Sequence, residues 1–390
     1  MIEAICGTAP VGPTRHNRTV WALRADEVIR RTVISNFIAP EYSRSRVAAA
    51  GRRVRHGNPT EEDHKVIENW RAAHAYVLNT IQTNLRNRAR RYGATVAQRS
   101  KRRITIYDKL QRQPDMALSH MQDIAGCRVI FNTMDDLLAF RAGLHESRSQ
   151  HVLLGRDIDQ YNYLIRPKNS GYRGIHDVYR YKVSSPVGTT WNGLLVEIQY
   201  RTLVQHAWAT AVEVADLTTS TRIKFDDAAN PHLDFFRYAS EMLARAFEGS
   251  HACCPDIPNP DLVQRFVDVA LRSGIWMTLN RLEAVPAEPS RRKNSILIYR
   301  TGDTTPALDR LRVLNFENSI QAIHEYGRLE KEYEGQEVDI VLVRAETGAA
   351  IREAYRNYYS DVESFLDYVR TAIGVLTTAD GARAALGRLS

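Results

Sequence analysis

Four short β-type runs lie between residues 127 and 200: CRVIF at 127–131, YNYLI at 161–165, DVYRYKV at 177–183 and GLLVEIQY at 193–200. Runs this short cannot bury an apolar face alone, so they must pair in a sheet covered by helices. Amphipathic stretches follow the first and last of them, at 134–147 and 202–215, which predicts a mixed α/β domain around one sheet. Ahead of these runs, Val66, Trp70, Ala73, Val77, Ile81 and Leu85 recur every three or four residues and predict one long helix with a buried stripe. Pro59 precedes that helix, and Thr60 and Asp63 occupy capping-box positions at its start.

A chain of 390 residues is long enough for two domains at about 100 to 200 residues each. The helical pattern HLDFFRYASEMLARAFEGS closes the sheet domain, and the proline-rich CCPDIPNP marks a boundary. A helix near 261–284 and a polar linker, AVPAEPSRRKN, come next. The tail reads as strand (SILIYR), strand (LRVLNF), helix (ENSIQAIHEYGRLEKEYEG), strand (EVDIVLVRA) and two or three further helices, a small α+β module. No apolar run approaches the about 18 residues of a membrane span, so no membrane partner is expected. The N-terminus lacks a basic start followed by an apolar block, does not read as a secretory signal, and points to a cytoplasmic location. Cys6 and Cys127 stand alone, and the adjacent Cys253 and Cys254 have no second pair at zinc spacing, so no zinc site is expected.

Charge is unevenly distributed. From Arg44 to Arg112 there are 17 Lys or Arg against 5 Asp or Glu, a local net of +12. Arg86, Arg88, Arg90 and Arg91 crowd the end of the long helix. Such a concentration suits a polyphosphate or nucleic-acid partner, and equally a solvated face or a helix end that favours cations.

Four blocks set charged groups beside strand and turn signals. In RSKRRITIYDKL, Arg99, Lys101 and Lys109 supply fixed positive charge, and an Arg plane can stack on a base. In MQDIAGCRVIF, Asp123 precedes an apolar strand that contains Gly126 and Arg128. In IRPKNSGYRGIHDVYRY, Lys168, Tyr172, Arg173 and His176 crowd around two glycines, which suits a lip able to clamp an aromatic ring and its phosphates. In GLLVEIQYRTLVQHAWATAVE, Glu197 and Gln199 share one strand face by the period-two rule. A carboxylate facing a core needs either an Arg partner or a divalent metal.

Together these blocks resemble the synthetase domain of the RelA/SpoT family over roughly residues 60 to 250. Arg99, Lys101 and Lys109 match its basic ATP motif, and Asp123 to Arg128 match Asp-Ile-x-Gly-x-Arg. Pro167 to His176 match its Pro-Lys-x-x-Gly-Tyr-Arg-x-x-His loop, while Glu197, Gln199, Arg201 and Thr202 match Glu-Ile-Gln-x-Arg-Thr. The resemblance implies an α+β fold, a mixed-sheet nucleotidyltransferase-like synthetase domain flanked by helices, with a small α+β regulatory domain behind it. The implied division is 1–59 as N-terminal extension, 60–254 as synthetase domain, 255–293 as helical linker region and 294–390 as C-terminal regulatory domain.

It also implies transfer of the β,γ-pyrophosphate of ATP to a ribose hydroxyl. Asp123 and Glu197 would be catalytic and hold Mg²⁺. Arg99 and Arg128 would sandwich the adenine, with Gln199 also on the ATP side, and Lys101 and Lys109 would neutralise the triphosphate. Tyr172 would stack on the acceptor base, with Lys168, Arg173 and His176 nearby. Glu197 could also act as general base. The family's His-Asp-x-x-Glu-Asp hydrolase block is missing, so a synthetase without hydrolase is expected.

NWRAAHAYVLNT, TNLRNRA and VQHAWATAVE are similar to the CapRel-like branch of toxic small alarmone synthetases, which fuses a toxin to its own antitoxin domain. That similarity implies the tRNA 3′-terminal adenosine as acceptor, bound through Arg86, Arg88, Arg90 and Arg91, with GDP or GTP as the alternative. The tail would act as inhibitor until a phage structural protein releases it. Tyr355 and Tyr358, three apart at helical spacing, are either core aromatics or the motif by which such tails cover the ATP site. On this reading, deleting residues after about Pro260 releases activity. A non-catalytic RNA-binding or phage-sensing protein is the third reading, and the retention of Asp123 and Glu197 speaks against it.

Overall fold

A computed structural model describes residues 37–101, 103–218, 231–283, 294–300, 311–317, 319–333, 336, 338–344 and 360–389. The long helix α2 (Glu61–Ala89) follows a shorter one, α1 (Arg44–Arg55). Its capping box is complete: Thr60 Oγ1 accepts from Asp63 N at 3.2 Å, and the Asp63 carboxylate accepts from Thr60 N at 3.0 Å. Asp63 is buried and ties the two helices through Arg46 at 2.7 Å and Arg53 at 2.5 Å. The hydrogen bond from Arg53, against the opposing effect of burial, holds this carboxyl far below its ordinary range.

The central sheet contains β1 (Thr95–Ser100), β2 (Ala125–Phe131), β3 (Val152–Leu154), β4 (Ile175–Arg180) and β5 (Leu195–Thr202) in the order β1-β2-β5-β4-β3. Only β2 and β5 run parallel; the other neighbours are antiparallel. α2 packs on β1 and β2, and its predicted stripe, Val66 to Leu85, is buried in one core with Cys127, Val129, Ile198 and Tyr200. Alternate residues behave differently. Gly126 and Arg128 on β2, His176 on β4, and Glu197 and Gln199 on β5 are only partly buried. The period of two therefore gives the sheet one apolar face, closed by α2, and one polar face that stays accessible. Two more helices flank it, α3 (Arg103–Arg112) and α4 (Met134–His145).

Beyond β5 come α5 (Leu203–Thr218), α6 (Pro231–Glu248), α7 (Asn259–Ser273) and α8 (Ile275–Glu283). A second sheet, β6 (Asn294–Arg300), β7 (Leu311–Phe316) and β8 (Val338–Arg344), has the order β7-β6-β8 and carries α9 (Ser319–Glu332). Ile296, Ile298 and Ile340 pack there on Tyr326 and Leu329. The β8 edge lies against β1. The last helices, α10 (Ser360–Leu376) and α11 (Ala379–Leu389), join α5 to α8 in a single core. In it the Phe365 ring of α10 packs at a tilt 5.9 Å from Phe236 of α6, which is 5.0 Å from Phe235. The tail thus supplies both a small sheet and two helices that complete the packing of α5 and α6.

Three local expectations change. YNYLI does not form a strand. The Asn162 side chain donates to Asp159 Oδ1 at 2.9 Å and accepts from Leu164 N at 3.1 Å, an Asx-type turn that competes with extended pairing. The helix expected over 261–284 is two helices, because Gly274 adopts φ +68° and ends α7. TVAQRS, outside the four β-type runs, forms β1 at the edge of the central sheet.

Candidate active site on the open sheet face

Asp123 sits just ahead of β2, and the main chain brings two lysines to it. Lys101 N donates to Ile124 O at 2.9 Å, extending the β1–β2 ladder by one step. Lys101 Nζ then lies 2.7 Å from Asp123 Oδ2, and Lys109 Nζ, from α3, lies 3.0 Å from Oδ1. Burial works against the charged carboxylate, but the two ammonium groups outweigh it and hold Asp123 below its ordinary value. The negative charge of Glu197 acts in the opposite sense on the same group, so two carboxylates share one site.

Glu197 lies opposite Gly126 on β2 and Val178 on β4. Its Oε1 is 2.9 Å from His176 Nδ1, and its Oε2 accepts from Gln199 Nε2 at 2.7 Å. Gln199 Oε1 accepts from Arg201 Nη2 at 3.1 Å, and the same guanidinium nitrogen donates to Tyr172 OH at 3.1 Å. Tyr172 OH is 2.6 Å from His176 Nε2. These five side chains therefore form a closed ring of hydrogen bonds on the open face. Burial opposes the charge on Glu197, yet His176, Gln199 and Lys109 bring its pKa down to about 2. Burial also disfavours a charged His176, but Tyr172 and Glu197 raise it to about 9. Burial would raise the Tyr172 phenol; the cations Arg201 and His176 instead lower it to about 8.

The loop before β4 completes the site. Lys168 Nζ lies 4.4 Å from the Tyr163 ring centroid and 5.3 Å from that of Tyr172, and the two rings meet edge-on at 5.6 Å. Gly171 turns this loop at φ +87°, and its carbonyl accepts from Ser240 Oγ of α6 at 2.5 Å. A β-carbon at this position would stand 3.0 Å from Ser240 Cβ and 3.1 Å from Phe236 O, so only glycine fits both the dihedral and the space.

The structure brings Asp123, Lys101, Lys109, Glu197, Gln199, Lys168, Tyr172 and His176 to one region. Arg173, expected at the acceptor, points elsewhere. It is buried, pairs with Glu248, and donates to Ser250 Oγ at 2.8 Å, because the left-handed turn at Gly171 presses this stretch against α6. Arg128 stands on β2 opposite Ala97 and Gln199, and Arg99 lies opposite Gly126, two register positions away. Arg86 and Arg88 are half-buried, and Arg90 and Arg91 are exposed in the turn after α2. Arg88 Nε donates to Asn84 Oδ1 at 2.9 Å, and the Arg91 guanidinium lies 4.9 Å from the Tyr92 ring. Tyr355 and Tyr358 lie outside the described residues.

Two participants received no role from the sequence. Arg201, matched only as part of Glu-Ile-Gln-x-Arg-Thr, shares the strand face of Glu197 and Gln199, so the period of two could have placed it. Tyr163 sits in a run that reads as a strand, and nothing in the sequence marks it as a neighbour of Tyr172.

Among the described residues no group of three or more His, Cys, Asp or Glu could hold a metal. Two hard oxygen donors that repel each other, with lysines able to take phosphate, nevertheless fit Mg²⁺, which binds through one or two protein carboxylates and fills its shell with phosphate oxygens and water.

Part of the chain is similar to known proteins. Residues 98–217 match the family described as the region found in RelA/SpoT proteins. The GTP pyrophosphokinase YjbM of Bacillus subtilis is 35% identical over 108 residues, which span 27% of this chain and 48% of that protein. An uncharacterised protein of Mycobacterium tuberculosis is 28% identical over 203 residues, 51% of this chain and 68% of the other. The chain thus spans about half the length of the first of these relatives. Among solved structures, the small alarmone synthetase 1 of Bacillus subtilis bound to its product pppGpp is 25% identical, with 45% of this chain and 90% of that one covered and a TM-score of 0.39.

Proposed function

We propose that the chain is an ATP-dependent pyrophosphotransferase of the RelA/SpoT synthetase type. The observation that carries this reading is the pairing of Asp123, clamped by Lys101 and Lys109, with Glu197 on the same open face, inside the segment that matches the RelA/SpoT region. In the transfer, the ribose hydroxyl oxygen bonds to the β-phosphorus of ATP. The bond from that phosphorus to the α,β-bridging oxygen breaks, AMP leaves, and the hydroxyl proton is released. Such chemistry depends on in-line positioning and on neutralising moving charge. Lys101 and Lys109 supply that charge beside Asp123, Arg99 and Arg128 take the adenine, and Lys168, Tyr163 and Tyr172 form the aromatic and cationic wall for the acceptor. Asp123 and Glu197 would hold Mg²⁺, which would supply positive charge to offset that of the phosphates. A carboxylate at about 2, as Glu197 is, accepts protons poorly, so its position favours metal holding over general-base work.

The acceptor we propose is the 3′-terminal adenosine of tRNA. The support is the local charge of +12 between Arg44 and Arg112, with Arg90 and Arg91 exposed, since folded RNA presents many phosphates. The match to a protein named GTP pyrophosphokinase favours GDP or GTP as a second reading. The β8 strand of the tail lies against β1, the strand that carries Arg99, which supports its proposed role as an inhibitor released by a phage structural protein. Incubation with ATP labelled in the β,γ-phosphates, Mg²⁺ and either tRNA or GDP is the test. The assay is run on the intact chain and on its Tyr355→Ala/Tyr358→Ala variant: label entering tRNA supports the first reading, label in GDP alone the second, and label in neither from both proteins removes the enzymatic proposal.

A further inference from the structure

One buried acid organises the segment that leaves α6. Glu241 Oε2 accepts from Ala252 N at 2.7 Å and Cys254 N at 3.0 Å, while Oε1 takes Arg245 Nε at 2.7 Å and His251 Nδ1 at 2.9 Å. This displays the adjacent Cys253 and Cys254 with their sulfurs 3.9 Å apart, Cys253 half-buried and 3.7 Å from the Arg237 carbonyl. Arg237 Nη1 pairs with Asp234 at 3.0 Å, but its Nε is buried without a hydrogen-bond partner, and its charge reaches both sulfurs. An unsatisfied guanidinium nitrogen favours a thiolate, and the neighbouring S–H can donate to it. The pair therefore gives up its first proton more readily than a lone buried thiol and holds its second firmly.

The same segment is bonded to the loop that carries Tyr172. Arg173 pairs with Glu248 and donates to Ser250 Oγ at 2.8 Å, and about two turns earlier on α6 Ser240 Oγ donates to Gly171 O at 2.5 Å. We propose that Cys253 and Cys254 form a redox-responsive thiol pair that reacts with low-molecular-weight disulfides, closing to a vicinal disulfide that loosens the Gly171–His176 loop. One protein thiolate attacks a sulfur of R–S–S–R, and RS⁻ departs and takes up a proton. The second thiol, once deprotonated, attacks the mixed disulfide, forms the Cys253–Cys254 bond and releases a second RSH. The pair is oxidised and the small disulfide reduced, with two protons passing to the two departing thiols.

Neighbouring Cα atoms are only about 3.8 Å apart, below the roughly 4.4 to 6.8 Å of ordinary disulfides. Ring closure must move the peptide between the two cysteines, and its N–H is the one that Glu241 holds. Strain of this kind also makes the bond easy to reduce, which suits a reversible switch.

Only the catalytic consequence rests on the proposed function; the thiol chemistry and the loop response are read without turnover. The full chain is treated with oxidised glutathione, the peptide spanning both cysteines is weighed, and amide exchange is followed across residues 168–176. The expected result is loss of two hydrogens from that peptide, reversed by dithiothreitol, with exchange at least several-fold faster in the loop. Cys254→Ser should trap a glutathione adduct on Cys253 and leave loop exchange at its reduced rate. Free thiols after treatment, independent glutathione adducts on both cysteines, or a closed disulfide with unchanged loop exchange would each overturn the proposal.

Discussion

His176 Nδ1 lies 2.9 Å from Glu197 Oε1, and this pair joins a ring of hydrogen bonds that shifts the titration of His176, Glu197 and Tyr172. With His176 raised to about 9 from 6.5, its contribution to stability is complete below 6.5 and fades as pH rises toward about 9. Tyr172, lowered from 10.0 to about 8, acts oppositely, adding stability between about 8 and 10. The melting temperature should therefore fall between pH 6.5 and 8 and flatten above that. In His176→Gln the fall should vanish. Glu197 contributes above its ordinary 4.5, and its share is lost as pH drops toward about 2. A wild-type melting profile that is level from pH 6.5 to 8 would remove the charged-histidine assignment.

Asp123→Asn and Glu197→Gln should each keep the fold and lower pyrophosphate transfer by about a hundredfold to a thousandfold or more. The reason is electrostatic: each change removes one of two anionic oxygen donors and leaves a single carboxylate to hold a divalent cation against the repelling charges of Lys101 and Lys109. Calorimetric titration with Mg²⁺ and a non-hydrolysable ATP analogue separates the cause, since metal-dependent nucleotide binding should weaken in both variants. Undiminished binding and turnover in either would end the metal assignment for that residue.

Gly171→Ala should be costly far beyond its size. The added carbon meets Ser240 Cβ at 3.0 Å and Phe236 O at 3.1 Å, at a φ of +87° that alanine rarely adopts. A loss of roughly 1 to 3 kcal/mol in stability is expected from the backbone strain alone. Because Tyr172 follows directly, acceptor KM should rise more than ATP KM. Chemical denaturation and steady-state kinetics check the two halves separately.

The sites where reading the sequence succeeds and fails share a physical logic. The α2 stripe and the strand positions of Glu197 and Gln199 follow from periodicity, because burial of one face forces a repeat of 3.6 or 2. YNYLI misleads because Asn162 satisfies backbone and side-chain groups locally, which composition does not reveal. Arg173 misleads for a different reason. A conformation set at Gly171 turns it toward Glu248, 75 positions away, and no local pattern encodes such a distant partner. The β1 edge and Tyr163 are likewise defined by neighbours that only the folded sheet supplies.

If tRNA is the acceptor, replacing Arg86, Arg88, Arg90 and Arg91 together with Gln should weaken tRNA binding and flatten its salt dependence. Each lost phosphate contact lowers the slope by roughly 0.7 to 0.9. ATP binding should be unchanged, because these residues end α2 rather than lining the Asp123 face. Filter binding across a salt series gives the slope, and a slope equal to wild type would place the RNA contact elsewhere.

The tail's role needs a different experiment from truncation. Cutting after Pro260 removes Phe266, Trp276 and Phe365, which are buried against α5 and α6 in the second core, together with all of α10. Burial of side chains this large contributes roughly 1.5 to 3 kcal/mol each. The α6 helix that loses this cover also anchors Gly171 through Ser240 and Arg173 through Glu248. Such a truncation should therefore aggregate or lose its cooperative melt instead of giving a released enzyme, contrary to what two linkers suggest in the sequence. Tyr355→Ala with Tyr358→Ala keeps Phe266, Trp276 and Phe365 in the chain and tests the lid directly. If the tyrosines cover the ATP site, a tethered group at up to about millimolar local concentration is removed, and the variant should bind ATP more tightly, transfer faster and become toxic on expression. A folded double variant with wild-type ATP affinity that stays harmless would mean that the tyrosines serve packing and that inhibition, if any, resides in another part of the tail.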